Sequence, residues 1–184
     1  MRKNFGKQTW MYPLPVLLIA TYDENGNPDI MNAAWGGIYD TNTVQICLGS
    51  HQTTDNIRES AAFTIGIADA AHVAEADYVG IVSKRNTPDK IEKTGFTLSK
   101  SEFVNAPIIN EIPMVLECNL IKFNEDGNVI GEIVNISADE SILNDEGRID
   151  PAKLQPIAFD PVNNLYHKLG DPVGHAFSDG KKLS

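Results

Sequence analysis

Two short stretches carry the residue types and spacing that could hold a flat, anionic ligand. In Met31-Asn32-Ala33-Ala34-Trp35-Gly36-Gly37, small residues crowd around one tryptophan. Such a segment lets a planar molecule come close to the backbone and draw hydrogen bonds from its N–H groups. In Gly49-Ser50-His51-Gln52-Thr53-Thr54-Asp55-Asn56-Ile57, hydroxyls and unsatisfied N–H groups meet where a strand runs into a helix start. There the helix dipole and the free donors favour an anion such as a phosphate. Each stretch also has a plainer reading: Trp35 packed in a strand core, and a helix capped by Ser or Thr. On the residues alone, the chain reads as an antiparallel domain with a candidate anion site.

Other chemistries find little support. No Gly-x-Gly-x-x-Gly, Walker or Gly-x-Ser-x-Gly motif occurs, so the common nucleotide folds and a nucleophile elbow are not indicated. His51, His72, His167 and His175 lie far apart, without the spacing that sets two ligands on one helical face, and no metal is expected. Cys47 and Cys118 both fall inside apolar, strand-like runs and form no Cys-x-x-Cys pair. They read as two buried, reduced thiols, which fits a cytoplasmic setting.

The elements that must position these residues are short strands. Val16 to Tyr22 and Asp29 to Gly36 flank the turn formers Asp23-Glu24-Asn25-Gly26-Asn27-Pro28 and predict a hairpin. Thr43 to Leu48 and Ala62 to Ile67 predict two more strands, with the helix start between them. Helix formers predict a helix over 70–82, then a polar loop over 84–88, and a short helix over 89–93 ended by Gly95. Met114 to Phe123 and Val129 to Ala138 flank Glu125-Asp126-Gly127 and predict a second hairpin. Strands joined by hairpins, without regular strand–helix alternation, favour an antiparallel barrel or sandwich over a doubly wound sheet.

With 184 residues and 42% hydrophobic content, the chain suits one domain over 1–184. A formal charge of -10 excludes a basic nucleic-acid or membrane surface, so any bound phosphate must be held by local donors. Arg2, Lys3 and Lys7 precede an apolar run that imitates a secretory signal. Two prolines break that run, and it leads into a turn with no small-residue cleavage site.

Several motifs in order carry a resemblance. They are Pro15-Val16 opening an aliphatic strand; Glu24-Asn25-Gly26-Asn27-Pro28-Asp29-Ile30-Met31-Asn32-Ala33-Ala34-Trp35-Gly36-Gly37; and Thr53-Thr54-Asp55-Asn56-Ile57. Asp77-Tyr78-Val79-Gly80 to Ser83, Asp89-Lys90, Ala106-Pro107-Ile108 and Pro113-Met114-Val115-Leu116-Glu117-Cys118 follow. Together they resemble the flavin reductase-like family, in particular its flavoredoxin-like branch. The resemblance implies a mainly β fold with small helices, a six-stranded antiparallel Greek-key split barrel, working as a homodimer with FMN in a cleft at the subunit interface. Carried over, Asn32, Ala33, Ala34 and Trp35 would line the flavin ring. Gly49, Ser50, His51, Thr53 and Thr54 would receive the ribityl chain and phosphate. Ser83 and Lys90 would complete the site, Lys90 as a cation. The family often carries an arginine near Gln52, and Ser-Gly where this chain has Ser83-Lys84, so the phosphate contacts are expected to be rearranged, with Arg85 as a substitute.

The expected activity is hydride transfer from NADH or NADPH to the flavin, in which the cofactor supplies the chemistry and the protein orients the rings. No catalytic side chain is then required. The rival expectation is an electron carrier whose bound FMN is reduced by a redox partner protein. A split barrel that has lost its flavin and serves as a binding module is the third.

Overall fold

The structure is a computed structural model and describes residues 1–183. Its strands are β1 (Leu14–Pro15), β2 (Leu17–Tyr22), β3 (Pro28–Ala33), β4 (Gly36–Asp40), β5 (Thr43–Ile46), β6 (Ala62–Ile67), β7 (Leu98–Lys100), β8 (Pro107–Ile109), β9 (Met114–Phe123), β10 (Val129–Ala138), β11 (Ile157–Asp160) and β12 (Leu165–Lys168). Helix α1 (Gln52–Ser60) joins β5 to β6, α2 (Val73–Ile81) and α3 (Lys90–Thr94) follow β6, and α4 (Pro151–Leu154) precedes β11. Seven strands form one sheet in the order β3-β2-β6-β9-β10-β5-β4, every pair antiparallel. This sheet curls into a half-barrel. β1, β11 and β12 make a second sheet, and β7 and β8 pair alone.

Local chemistry sets the turns. Between β2 and β3 the Asp23 carboxylate accepts from the N–H groups of Asn25 and Asn27, and Gly26 takes a φ of 79°. Asn124 does the same between β9 and β10 for Asp126 and Asn128, with Gly127 at 80°. Both are side-chain-templated turns with glycine in the left-handed region. Register slips at Ile130/Gly131, where a Cβ would come within 2.5 Å of the Phe63 ring; only glycine lets this ring under the bulge.

The run Leu17-Leu18-Ile19-Ala20 is apolar without alternation because β2 is covered on both faces. Leu18 and Ala20 pack with Ile30, Ala76, Val79 and Ile157 on the side of α2, while Leu17 and Ile19 pack with Ile46, Ile57 and Phe63 inside the curl. Two-sided burial turns the usual period of two into a continuous stretch.

Four expectations change. The segment read as one strand from Asp29 to Gly36 breaks at Ala34 and Trp35: β3 ends at Ala33, and β4 crosses to the opposite edge of the sheet to pair with β5. That break adds a seventh strand to the six legible in the sequence. Gly36 permits the crossing, since a Cβ there would lie 3.0 Å from Leu17 and 3.1 Å from the Gln45 carbonyl. Trp35 therefore sits at a corner, 54% exposed, and the core reading of it fails. Cys118 is buried as expected, its thiol pushed up to about 12 by burial and by the neighbouring Glu117. Cys47 is exposed: β5 ends at Ile46, and the Cys47 N–H bonds the Trp35 carbonyl at 2.7 Å. The helix predicted over 70–82 starts at Val73, because the Asp69 carboxylate takes the N–H groups of Ala71 and His72 in a turn first.

Candidate functional site

A cavity of about 230 Å³ opens over the start of α1, lined by Asp29, Met31, Asn32, His51, Gln52, Thr53, Ser83, Lys84 and Lys90 together with the end of α2. The helix is not capped as the sequence suggests. Its N-cap is His51, whose side chain makes no cap bond, and the Thr54 hydroxyl turns away to donate to the Gly49 carbonyl at 2.8 Å. The N–H groups of Thr54 and Asp55 reach the His51 carbonyl, which leaves those of Gln52 and Thr53 without an acceptor among the described residues. Two free donors at the positive end of a nine-residue helix make a site suited to an anion.

Beneath the cavity lies an ion pair. Lys90 is 2% exposed and its Nζ stands 2.8 Å from Asp29 Oδ1; Thr53 Oγ1 donates to Asp29 Oδ2 at 2.7 Å, and the Ile30 N–H donates to Oδ1 at 2.9 Å. Asp29 thus pins together a lysine from α3 and a threonine from α1, two elements far apart in the chain. Burying either charge alone would cost several kcal/mol; paired and hydrogen-bonded, both are tolerated. Arg85 is likewise committed, to Asp55 at 2.6 Å on the surface. Lys84 is the cation at this cavity without a carboxylate partner among the described residues: its Nζ donates to the Pro28 carbonyl.

A second cavity of about 360 Å³ is lined by Val16, Asn32, Ala34, Asp77, Phe159, Asn164 and Tyr166. Asn32, Gly80 and Ile81 line both cavities, so the two adjoin along one cleft beside β3 and α2. At their junction a Cβ on Gly80 would stand 3.0 Å from that of Asn32, so the glycine keeps helix and strand close. The Asn32 amide donates to the Ala76 carbonyl at 2.9 Å. Tyr166 packs tilted against Phe159 and donates to Asp77 Oδ1 at 2.8 Å. Burial first, and this bond to a carboxylate next, push the phenol up to about 12.

Of the residues singled out in the sequence, the cleft brings together Asn32, Ala34, His51, Thr53, Ser83 and Lys90. Ala33 is buried inside the curl, Thr54 is buried and turned to Gly49, and Gly49 and Ser50 are exposed but line neither cavity. Trp35 lines a neighbouring apolar groove of about 370 Å³ with Met11, Tyr39 and Cys47. The sequence reading gave no role to Asp29, Asp77 or Tyr166. Asp29 and Asp77 lay within motifs that carry the resemblance, and Lys84 showed only as a departure from the family pattern. Among the described residues, no group of three His, Cys, Asp or Glu side chains could hold a metal ion, and no helix is long and apolar enough to cross a membrane.

Comparison with known proteins agrees with this architecture. The structure superposes on flavoredoxin of Desulfovibrio vulgaris (Miyazaki F) with a TM-score of 0.94 and 40% identity, covering 98% of this chain and 100% of that one. It superposes on flavoredoxin from Methanosarcina acetivorans with a TM-score of 0.88 and 28% identity over the whole of both chains. An uncharacterised protein of Aeropyrum pernix is 27% identical over 121 residues, 64% of this chain, which spans 46% of that longer protein. The family model described as the flavin reductase like domain matches residues 9–158, and on this match the chain belongs to the flavin reductase-like family.

Proposed function

We propose that the chain binds FMN in the cleft and works as a flavin reductase, taking hydride from NADH or NADPH. One observation carries this reading: an anion site with free N–H donors and a lysine that has no carboxylate at salt-bridge distance adjoins a second cavity walled by Tyr166, Phe159 and Ala34. A phosphate at one end and a planar ring at the other match a flavin mononucleotide, whereas a simple anion site would need no second cavity. The residues present fit the group. Gln52, Thr53 and Lys84 would face its phosphate and Asn32 and Tyr166 its ring. When bound, FMN would supply the redox chemistry, and the protein orients the ring and shields it from water.

The alternative is a flavoredoxin-type electron carrier served by a redox partner protein, and the similarity to two proteins named flavoredoxin supports it. We further propose a homodimer in a cytoplasmic setting. The edge strand β4 exposes Ile38 and Tyr39 beside Trp35, an apolar edge that a second copy would cover.

The test is the absorbance spectrum of the purified protein with FMN, followed by anaerobic addition of each nicotinamide nucleotide. A perturbed flavin band that bleaches on addition supports the reductase and names its donor. A bound flavin that ignores both nucleotides supports the carrier, and no flavin binding overturns the assignment.

A further inference from the structure

Asp77 has a place in the cleft that orientation of a ring does not require. It lies on α2 and is the one carboxylate among the residues lining the Tyr166 end. Oδ1 accepts from Tyr166, a residue of β12 nearly ninety positions away in the chain. Oδ2 has no hydrogen-bond donor and the carboxylate no cation within salt-bridge distance, among the described residues. The cations of the other end do little to offset it. Lys90 is neutralised by Asp29 and Arg85 by Asp55, which leaves Lys84 beyond Asn32 and Gly80. A negative charge without a cationic partner therefore stands half-buried in the cavity wall, where it is screened less than in bulk water and acts over several ångströms.

Resting on the proposed FMN site, we infer that the charge of the Asp77 carboxylate sets the redox balance of the bound flavin. Adding electrons to a ring beside a fixed negative charge is opposed by Coulomb repulsion, so this charge favours the oxidised flavin and makes the reduced one a stronger donor. This role differs from binding, because the same carboxylate touches neither the helix start nor Lys84.

The experiment is a reductive titration against a reference dye, on FMN-loaded wild type, Asp77→Asn and Tyr166→Phe, with FMN affinity measured for each. Asp77→Asn keeps the shape and removes the charge. It should shift the oxidised-to-reduced ratio about tenfold toward reduced flavin, about 30 mV for a two-electron couple. Tyr166→Phe keeps the charge and removes only the hydroxyl, so the potential should stay or fall. Asp77→Ser serves if the amide variant fails to fold, with the same expected direction. An unchanged potential in the charge-removing variant overturns the inference. So does an equal rise in the two variants, which would point to loosened packing and water entry. Failure of the wild type to bind FMN would sink the site itself, whereas normal binding with an unchanged potential would sink only the role of Asp77.

Discussion

The two ends of the cleft are built differently. The end at α1 is organised by charges already paired within the fold: Asp29 and Lys90 are nearly without exposure and tie β3, α1 and α3 together through Thr53. The end at α2 is organised by packing and by one hydrogen bond, Tyr166 to Asp77, between half-buried partners. The first end is part of the structure whether or not a ligand is present. The second is lighter, and its main wall comes from the small sheet β1-β11-β12 laid against α2. A charge-paired anion end and an open, packed ring end suit a cofactor held by its phosphate while its ring stays reachable.

The comparison breaks hardest at Asp29. Asp29→Asn would leave Lys90 as an uncompensated buried charge, at a cost of about 3–5 kcal/mol, read as a lower denaturant midpoint. Lys90→Met should cost a similar amount by stranding Asp29, and the double variant should cost clearly less than the two added. Additive losses would show that the pair is not a unit. At the other end Tyr166→Phe should cost only about 1 kcal/mol, since the bond it removes is partly solvated. Equal losses at both ends would erase the contrast drawn above.

Lys84→Ala should act on binding rather than on folding. It removes the cation at the helix-start cavity that has no carboxylate partner, and should weaken FMN binding about tenfold, or ~1.4 kcal/mol, with little change in unfolding. Arg85→Ala should change affinity much less, because its guanidinium is held by Asp55 on the surface. The reverse ranking would restore Arg85 as the phosphate contact that the sequence suggests.

Much of this arrangement was legible because it is local. The helix start at Gln52 and Thr53, the turns before β3 and β10, and the short α3 ended by Gly95 are each written in a few adjacent residues. What escaped depends on distant partners. Nothing near Asp29 in sequence announces Lys90, and nothing near Asp77 announces Tyr166. The break at Ala34 and Trp35 was hidden because small residues continue an extended pattern equally well through a corner, and the reason for the corner, the close approach of Gly36 to Leu17 and Gln45, is tertiary. Cys47 was misjudged for a similar reason: an apolar neighbourhood in sequence does not reveal where a strand ends.

The two thiols give a small and clean check on that last point. Cys118 is buried and its thiol is pushed up to about 12 by burial and by Glu117, so it stays protonated and unreactive at neutral and mildly alkaline pH. Cys47 is exposed beside Trp35 and should be the one alkylated by a thiol reagent in the native protein. Mass spectrometry should find one modified cysteine per chain, at Cys47, and two only after denaturation. Because Cys47 lies in the groove next to Trp35, at the edge proposed to be covered by a second copy, protection of Cys47 at high protein concentration and its reaction on dilution would support a dimer with its contact over that groove. Equal reactivity at every concentration would count against a dimer contact over that groove.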